Sequence, residues 1–375
     1  MSNDVDPNWV DRRLRRLQGP DRPWTILLQA HLREPVAHAE IERAWRAVVT
    51  ARPEVHVSPA PDGGWVATST APRVSIGPLE PALDRARHDP DDSAVSVIVE
   101  ADPAMTVSMV VDHSLTDGLG ARAMLEDLLR ALQGAEVSPR SPVTDAALDR
   151  LCSRRLGLRA ALAQIPPRRV ATLGAMGATT RLASATVDLA GIHERRRASE
   201  ASVGAVVIEA TLETLRARRT DSPKGTSVAV GVPADLRRHM GDPTGVGNAV
   251  VNLTITDRRA SSLAAIDAQI SEQTTRRRLG ETLSWVKRAT RPGPPRTSPR
   301  DGRLVASAML SNLGALGHEP AWGLVDRVAF APPAHQTVSI GVVGHHRDLT
   351  VTVRSRLLDP DATAALASEL AERLR

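Results

Sequence analysis

The 375-residue chain contains no tyrosine, one phenylalanine (Phe330) and one cysteine (Cys152), and six tryptophans bring its aromatic content to only 2%. That poverty excludes an activity built on stacking bases against aromatic platforms. It also leaves the core to Leu, Val, Ala and Ile. A single cysteine excludes a disulfide framework and a thiolate metal cluster. No apolar run reaches the roughly 20 residues that a membrane-spanning helix needs. The start, "MSNDVDPNWV", is acidic and polar rather than a signal peptide. These absences point to a cytoplasmic protein with no membrane span.

What is present is ordinary for a globular protein: 42% hydrophobic and 24% charged residues. The length suggests two domains or two lobes, each able to bury its own core. The net charge is +5, and most of the excess is arginine scattered along the chain, with clusters at "DRRLRRL", "HERRRAS" and "TTRRRLG". A nucleic-acid protein more often gathers its charge on one element, so no nucleic-acid partner is expected. Two readings of the arginines stay open: solvated helix faces, or attraction to an anionic partner such as a phosphate-bearing carrier arm.

Along the chain, "WTILLQAHL" (24–32) reads as a strand and "AHAEIERAWRAVV" (37–49), with apolar residues at helical spacing, as a helix. Short strands follow at "EVHVS", at "GWVATST" after a turn at 62–64, and at "RVSIG". Residues 93–101 and 106–112 are strands separated by Asp102 and Pro103. The helix after Gly118 places Met124, Leu125, Leu128, Leu129 and Leu132 on one face. Residues 134–180 are rich in Pro, Gly, Ser and Thr and read as a crossover. A similar grammar then restarts. Strands are expected at 182–189, 226–237, 248–257, 303–314, 337–344 and 348–357. Helices are expected at 202–219 and 262–278, and a capped helix closes the chain. The expected organisation is an N-terminal lobe (1–140), a crossover (141–180) and a C-terminal lobe (181–375).

The stretch "VSMVVDHSLTDGLGARAMLEDLL" (107–129) carries the chemistry. An apolar strand ends in a polar, glycine-containing turn, which sets side chains at a rim that a cleft can reach. His113, with an ordinary pKa of about 6.5, accepts a proton at cytoplasmic pH. A base so placed contributes about 10²–10⁴-fold to rate. Asp117 can cap the next helix or bind an arginine and lock the loop. Gly118 permits close backbone approach, and its N–H can serve an anion. A lone histidine at a strand end is also a common structural residue; the whole set, His113 with Asp117 and Gly118 between a strand and a helix, favours chemistry.

"DHSLTDG" resembles the HHxxxDG motif of the acyltransferase superfamily that holds nonribosomal-peptide condensation domains, polyketide-associated and wax-ester-type acyltransferases, and chloramphenicol acetyltransferase. The second motif histidine falls on His113, the Asp on Asp117 and the Gly on Gly118, while Asp112 replaces the first histidine. Some branches need only HxxxDG. "AVVTARPEVHV" (47–57) weakly resembles the family's RHxxLR-like turn. "VGVPADLRRHMGDPTGVGNAVVNLTI" resembles its strand, LR and GN pattern, and "SNLGALG" (311–317) its SNxG stretch. The resemblance covers most of the chain.

That resemblance implies an α/β (α+β) fold of two chloramphenicol-acetyltransferase-like sandwich lobes in a V, with a tunnel between them and His113 midway. It implies an acyltransferase of natural-product or lipid biosynthesis that moves an acyl group from a thioester to a hydroxyl or amine. The co-substrate would be a phosphopantetheine thioester, on coenzyme A or an acyl or peptidyl carrier protein, with no permanently bound cofactor. His113 would be the general base, and Gly118 N–H a candidate oxyanion donor. Asp117 would pair with Arg237, or failing that Arg238, with Asp112 as further support. Asn248, Ser311 and Asn312 would face the tunnel, or else satisfy local backbone groups. Two fused lobes build the cleft within one chain, so a monomer is expected.

"GLGARA" (118–123) mimics a dinucleotide fingerprint, but that motif needs its first glycine directly after the strand. Asp112 and Asp117 fit DxxxxD of the heterocyclisation branch, which lacks the histidine and has a serine where Gly120 stands. His345 and His346 lie in "VVGHHRDLTV", expected to be a surface hairpin turn rather than a metal site. Two alternatives to acyl transfer stay open: a degenerate homologue that binds a carrier protein or ligand, and a cyclisation in the tunnel.

Overall fold

The computed structural model describes residues 7–18, 24–60, 64–68, 71–83, 93–100, 105–152, 173, 177, 179–218, 227–241, 244–257, 262–289, 306–334 and 338–375. Most of the expected turn at 62–64, the Asp102–Pro103 break and most of the crossover lie outside these residues.

Two sheets dominate. The first has five strands in the order β11-β1-β6-β5-β4: β1 (Thr25–Leu32), β4 (Val74–Ile76), β5 (Val95–Glu100), β6 (Thr106–Asp112) and β11 (Val325–Ala331). Every pairing is antiparallel except β4 with β5. Side chains of a strand alternate between faces, and the core shows it. Ile26, Leu28 and Ala30 of β1, with Val107, Met109 and Val111 of β6, pack against helices α2 (His38–Ala51) and α4 (Gly118–Leu132). Leu27 and Val110 face the other way, onto Leu79 and Leu83, the latter in the single turn α3 (Glu80–Leu83). Both faces of β6 are covered, which is why its sequence is apolar almost throughout. A small hairpin, β2 (Val57–Pro59) with β3 (Trp65–Ala67), lies alongside; the strand expected over 54–58 is a 3-10 turn (Pro53–Val55) leading into β2. Arg52, fully buried, ties this region together through ion pairs with Glu54 and with Asp127 of α4.

The second sheet has six strands in the order β7-β13-β12-β10-β8-β9: β7 (Arg181–Asp188), β8 (Ala229–Asp235), β9 (Val250–Thr256), β10 (Ala308–Leu316), β12 (Val338–His345) and β13 (Asp348–Ser355). One face buries α6 (Leu189–Ser199), α7 (Val203–Ala217), α8 (Leu263–Gln273) and the closing helix α10 (Pro360–Leu374), capped by Asp359. A separate core joins Val251 and Leu253 of β9 to α1 (Trp9–Leu17), α5 (Asp145–Leu151) and α9 (Arg276–Ala289).

The chain crosses the expected lobe boundaries twice. Helix α1, from the N-terminus, packs through Trp9 and Val10 into the core of the second half. Strand β11, from the second half, pairs with β1 from Leu27↔Ala331 to Leu32↔Val325 and so completes the first sheet. Three expectations need correction. The helix over 262–278 is two helices with a break at Thr274 and Thr275; β-branched residues there spend their hydroxyls on the preceding carbonyls of Ile270 and Glu272. The β12–β13 turn exposes His346, at φ +51°, but His345 is buried against Trp322, with ring centroids 6.4 Å apart. It is the last residue of β12, so it faces the core. The strand expected from 303 begins at Ala308, residues 303–305 lying outside the described set. No described helix is long and apolar enough to cross a membrane.

Candidate active site

Strand β6 ends at Asp112, and α4 begins at Gly118 with Asp117 as its cap. Between them the chain makes a tight turn. The His113 amide donates to Trp24 O (2.7 Å) and the Leu115 amide to Asp112 O (3.0 Å). His113 Nδ1 lies 3.0 Å from Thr116 O. A carbonyl only accepts, so Nδ1 carries the proton and Nε2 keeps its lone pair. The ring is densely surrounded and only partly exposed. Burial lowers its pKa below the ordinary 6.5; the bond to Thr116 O and the charges of Asp117 and Asp112 oppose that shift without cancelling it. The imidazole is therefore neutral at pH 7, the form that accepts a proton.

Asp117 is buried and uses both oxygens. Oδ1 accepts from Leu119 N (3.1 Å) and Gly120 N (3.2 Å), two amides of the first turn of α4. Oδ2 accepts from Arg237 Nη1 (2.8 Å) and Ala249 N (2.8 Å). Burial alone would raise the Asp117 pKa, but the Arg237 charge, its hydrogen bond and the amides of Ala249 and Gly120 pull it below the ordinary carboxylate value. Arg237, in a 3-10 turn (Arg237–His239) after β8, also donates to Gly247 O (3.0 Å) and Asp235 Oδ1 (3.2 Å). Arg238 points elsewhere, to His239 and Thr274 O. The 245–249 loop meets the turn directly: Thr116 bridges Gly247, and the Gly247 amide donates to Leu115 O (3.0 Å). Gly247 has φ +110°, and a Cβ there would stand 2.9 Å from both Asn8 Nδ2 and Val143 Cβ, so only glycine fits without strain.

Asp112 is buried and gives one oxygen, Oδ1, to Ser114 N (2.8 Å), Ser114 Oγ (2.7 Å) and Gln18 Nε2 (2.9 Å). It closes the turn from the strand side. Gly118 abuts the second half: a Cβ would lie 2.9 Å from Leu313 Cδ2 and 3.2 Å from Phe330 Cζ. Asn248 is fully buried; its Nδ2 donates to His113 O (2.8 Å) and Asp11 Oδ1 (2.7 Å). Ser311 and Asn312 lie on β10 just before Leu313. Ser311 is half-buried; Asn312 is exposed and accepts from Gly314 N (2.8 Å), within the strand's bulge.

Six of the eight expected residues thus adjoin the turn, while Ser311 and Asn312 lie on β10, the strand stacked on Gly118, where Asn312 caps its own bulge. Sequence reasoning missed Asn8, Asp11, Gln18 and Gly247. Asn8 and Asp11 form a capping box at the start of α1: Asn8 Oδ1 accepts from Val10 N and Asp11 N, and Asp11 Oδ2 accepts from Asn8 N. The spacing "NWVD" carries that signal. No group of three or more His, Cys, Asp or Glu among the described residues is placed to hold a metal ion.

No protein-family model matches the chain, and no curated protein sequence matches it significantly. Solved structures do. The condensation domain of the Monacolin K polyketide synthase MokA aligns with a TM-score of 0.68 at 14% identity, over 100% of this chain and 97% of that one. Polyketide synthase associated protein 5 from Mycobacterium tuberculosis gives 0.67 at 14% identity, over 100% and 99%. F. sporotrichioides TRI101, solved with coenzyme A and T-2, gives 0.69 at 13% identity, over 100% and 97%. At such identities the likeness is one of fold, and it covers both halves: the chain has the condensation-domain, chloramphenicol-acetyltransferase-like α/β fold.

Proposed function

We propose that this chain is a thioester-dependent acyltransferase in which His113 is the general base. The observation that carries the reading is the imidazole itself: neutral, fixed by its Nδ1–H on Thr116 O, with Nε2 left to accept a proton in the turn where the two halves meet. In the proposed reaction, Nε2 takes the proton of an acceptor hydroxyl or amine as its oxygen or nitrogen attacks the thioester carbonyl carbon. The new C–O or C–N bond produces a tetrahedral oxyanion, for which Gly118 N–H at the start of α4 is the proposed donor. Collapse breaks the C–S bond, and the proton on Nε2 passes to the leaving sulfur as free thiol. Asp117 and Arg237 hold the turn and take no proton.

The donor is a phosphopantetheine thioester, on coenzyme A or on a carrier protein, bound as a co-substrate. One of the structures of the same fold holds coenzyme A, and the chain's net charge of +5 suits a phosphate-bearing donor. Ser311, on the strand stacked against Gly118, lines the acceptor side, while buried Asn248 braces the His113 carbonyl. The reading extends to a monomer acting in the cytoplasm, in natural-product or lipid biosynthesis.

The test is to incubate the protein with acyl-coenzyme A or an acyl carrier protein and with alcohol and amine acceptors, following free thiol, with His113→Ala beside it. Thiol release that needs both acceptor and His113 supports the reading. Binding of a donor with no release from any of them indicates a carrier-binding homologue. Product without thiol release indicates a cyclisation.

A further inference from the structure

The carbonyl of His113 is gripped by a relay that the proposed chemistry does not use. Asn248 Nδ2 donates one hydrogen to His113 O (2.8 Å) and the other to Asp11 Oδ1 (2.7 Å). Asp11 Oδ1 also accepts from the Asn248 amide (2.8 Å), and its Oδ2 from the Asn8 amide (2.9 Å). The orientation of the Asn248 amide is forced: turned over, its oxygen would face two acceptors. The Asn248 Oδ1 atom, buried with no hydrogen-bond partner among the described residues, shows what that orientation costs.

We propose that Asp11, acting through Asn248, is a positioning residue that fixes the main chain at His113 and so aims its imidazole at the acceptor. Two further observations support this. Asp11 is 3% exposed, and its described partners are amides, with no arginine or lysine among them. A buried carboxylate without a cation is costly, and burial raises its pKa well above the ordinary value, against the bonds from Asn248 and Asn8. A helix cap alone does not require it, since the Asn8 side chain already caps α1. The same helix reaches the far end of the turn, where its C-cap Gln18 holds Asp112 Oδ1. Helix α1 therefore spans the motif from the carbonyl of His113 to the carboxylate before it, while its apolar side is anchored in the second half.

The proposal rests on the reading of His113 as a base, and its test separates the two. Asp11→Ala, Asp11→Asn, Asn248→Ala and the double alanine variant are compared with the unaltered protein by thermal melting and by nitrogen-detected NMR of the His113 ring, which needs no substrate. In folded variants the alanine changes are expected to lose the fixed Nδ1–H tautomer and to move the His113 pKa up towards 6.5. On substrate, kcat is expected to fall about 10²-fold with KM nearly unchanged, the cost of a base displaced by about 1 Å. Asp11→Asn keeps one oxygen for Asn248 and is expected to recover part of that loss. The double variant is expected to be no worse than Asn248→Ala, because both act through one path. An unchanged tautomer and pKa in a folded Asp11→Ala protein would overturn the proposal. So would loss of the fold in every variant, which would make Asp11 structural only. If the ring responds but no acceptor is acylated, the positioning stands and the acyltransfer reading falls.

Discussion

Two loops, one from each half of the chain, meet at the candidate site and differ in what they supply. The turn after β6 carries an imidazole with an unspent nitrogen. The described residues after β8 that touch this turn are committed to holding it: Arg237 to Asp117, Gly247 and Asp235, Asn248 to His113 O and Asp11, and the Ala249 amide to Asp117. In the proposed reaction one loop reacts and the other holds. His113 is partly exposed, while Asp117, Arg237 and Asn248, which hold its turn, are buried. The bracing of the His113 turn arrives from the other half of the chain.

Changes to the two loops should therefore have different signatures. The largest effect belongs to the reactive loop: His113→Ala should lower turnover about 10²–10⁴-fold with the melting temperature almost unchanged, measured by thiol release and calorimetry. On the holding side, Arg237→Ala or Asp117→Ala leaves a buried charge unpaired and should cost about 3–5 kcal/mol of stability, read by denaturant unfolding. A fully stable but inactive Asp117→Ala would erase the distinction between the loops. Gly247→Ala forces a side chain into positive φ against Asn8 and Val143 and should cost about 1–3 kcal/mol by the same assay.

The pH dependence divides likewise. Because the His113 pKa lies below 6.5 in the folded protein, the acid limb of the pH–rate profile should have its midpoint below 6.5. Its contribution to stability is present above 6.5 and lost as pH falls through the folded value. Asp117, also lowered, contributes above its ordinary 3.8 and loses that as pH falls through its folded value. Asp11 runs the other way: its pKa is raised, so its contribution is present below 3.8 and lost as pH rises through the folded value. Asp11→Asn should therefore flatten the part of the stability curve between pH 3.8 and the folded value, measured by melting across pH. The smallest effect is expected for Asn312→Ala, within about 0.5 kcal/mol, since that side chain only caps an exposed bulge.

Much of the fold can be read from periodicity. Strands β1, β6, β12 and β13 and helices α2, α4, α7 and α10 fall where apolar spacing places them, because each buries a face or a stripe. The elements that escape such reading bury little or are broken in pattern. Helix α6 buries only Ile192, and its last turn is Arg196 and Arg197. Strand β11 opens with Val325, Asp326 and Arg327 before its buried stretch, so neither alternation nor an unbroken run marks it. The turn at 112–118 stands out because a strand, a histidine, an acid and a glycine are adjacent. The pairing of Asp117 with Arg237 was expected only through resemblance to a family motif, and the Asp11–Asn248 relay, across 237 positions, has no local signal beyond a helix cap.

The sequence alone determined most of the strands and helices that bury a regular apolar face, and where a histidine would stand at a strand end before a capped helix, because hydrophobic spacing and capping are local physics. Tertiary structure decided the rest. It chose which arginine meets Asp117, sent β11 back into the first sheet and α1 into the second half, and protected one ring nitrogen of His113 while leaving the other free. Each of these outcomes depends on groups more than 100 positions apart or on the direction of a hydrogen bond, and neither is encoded in the order of neighbouring residues.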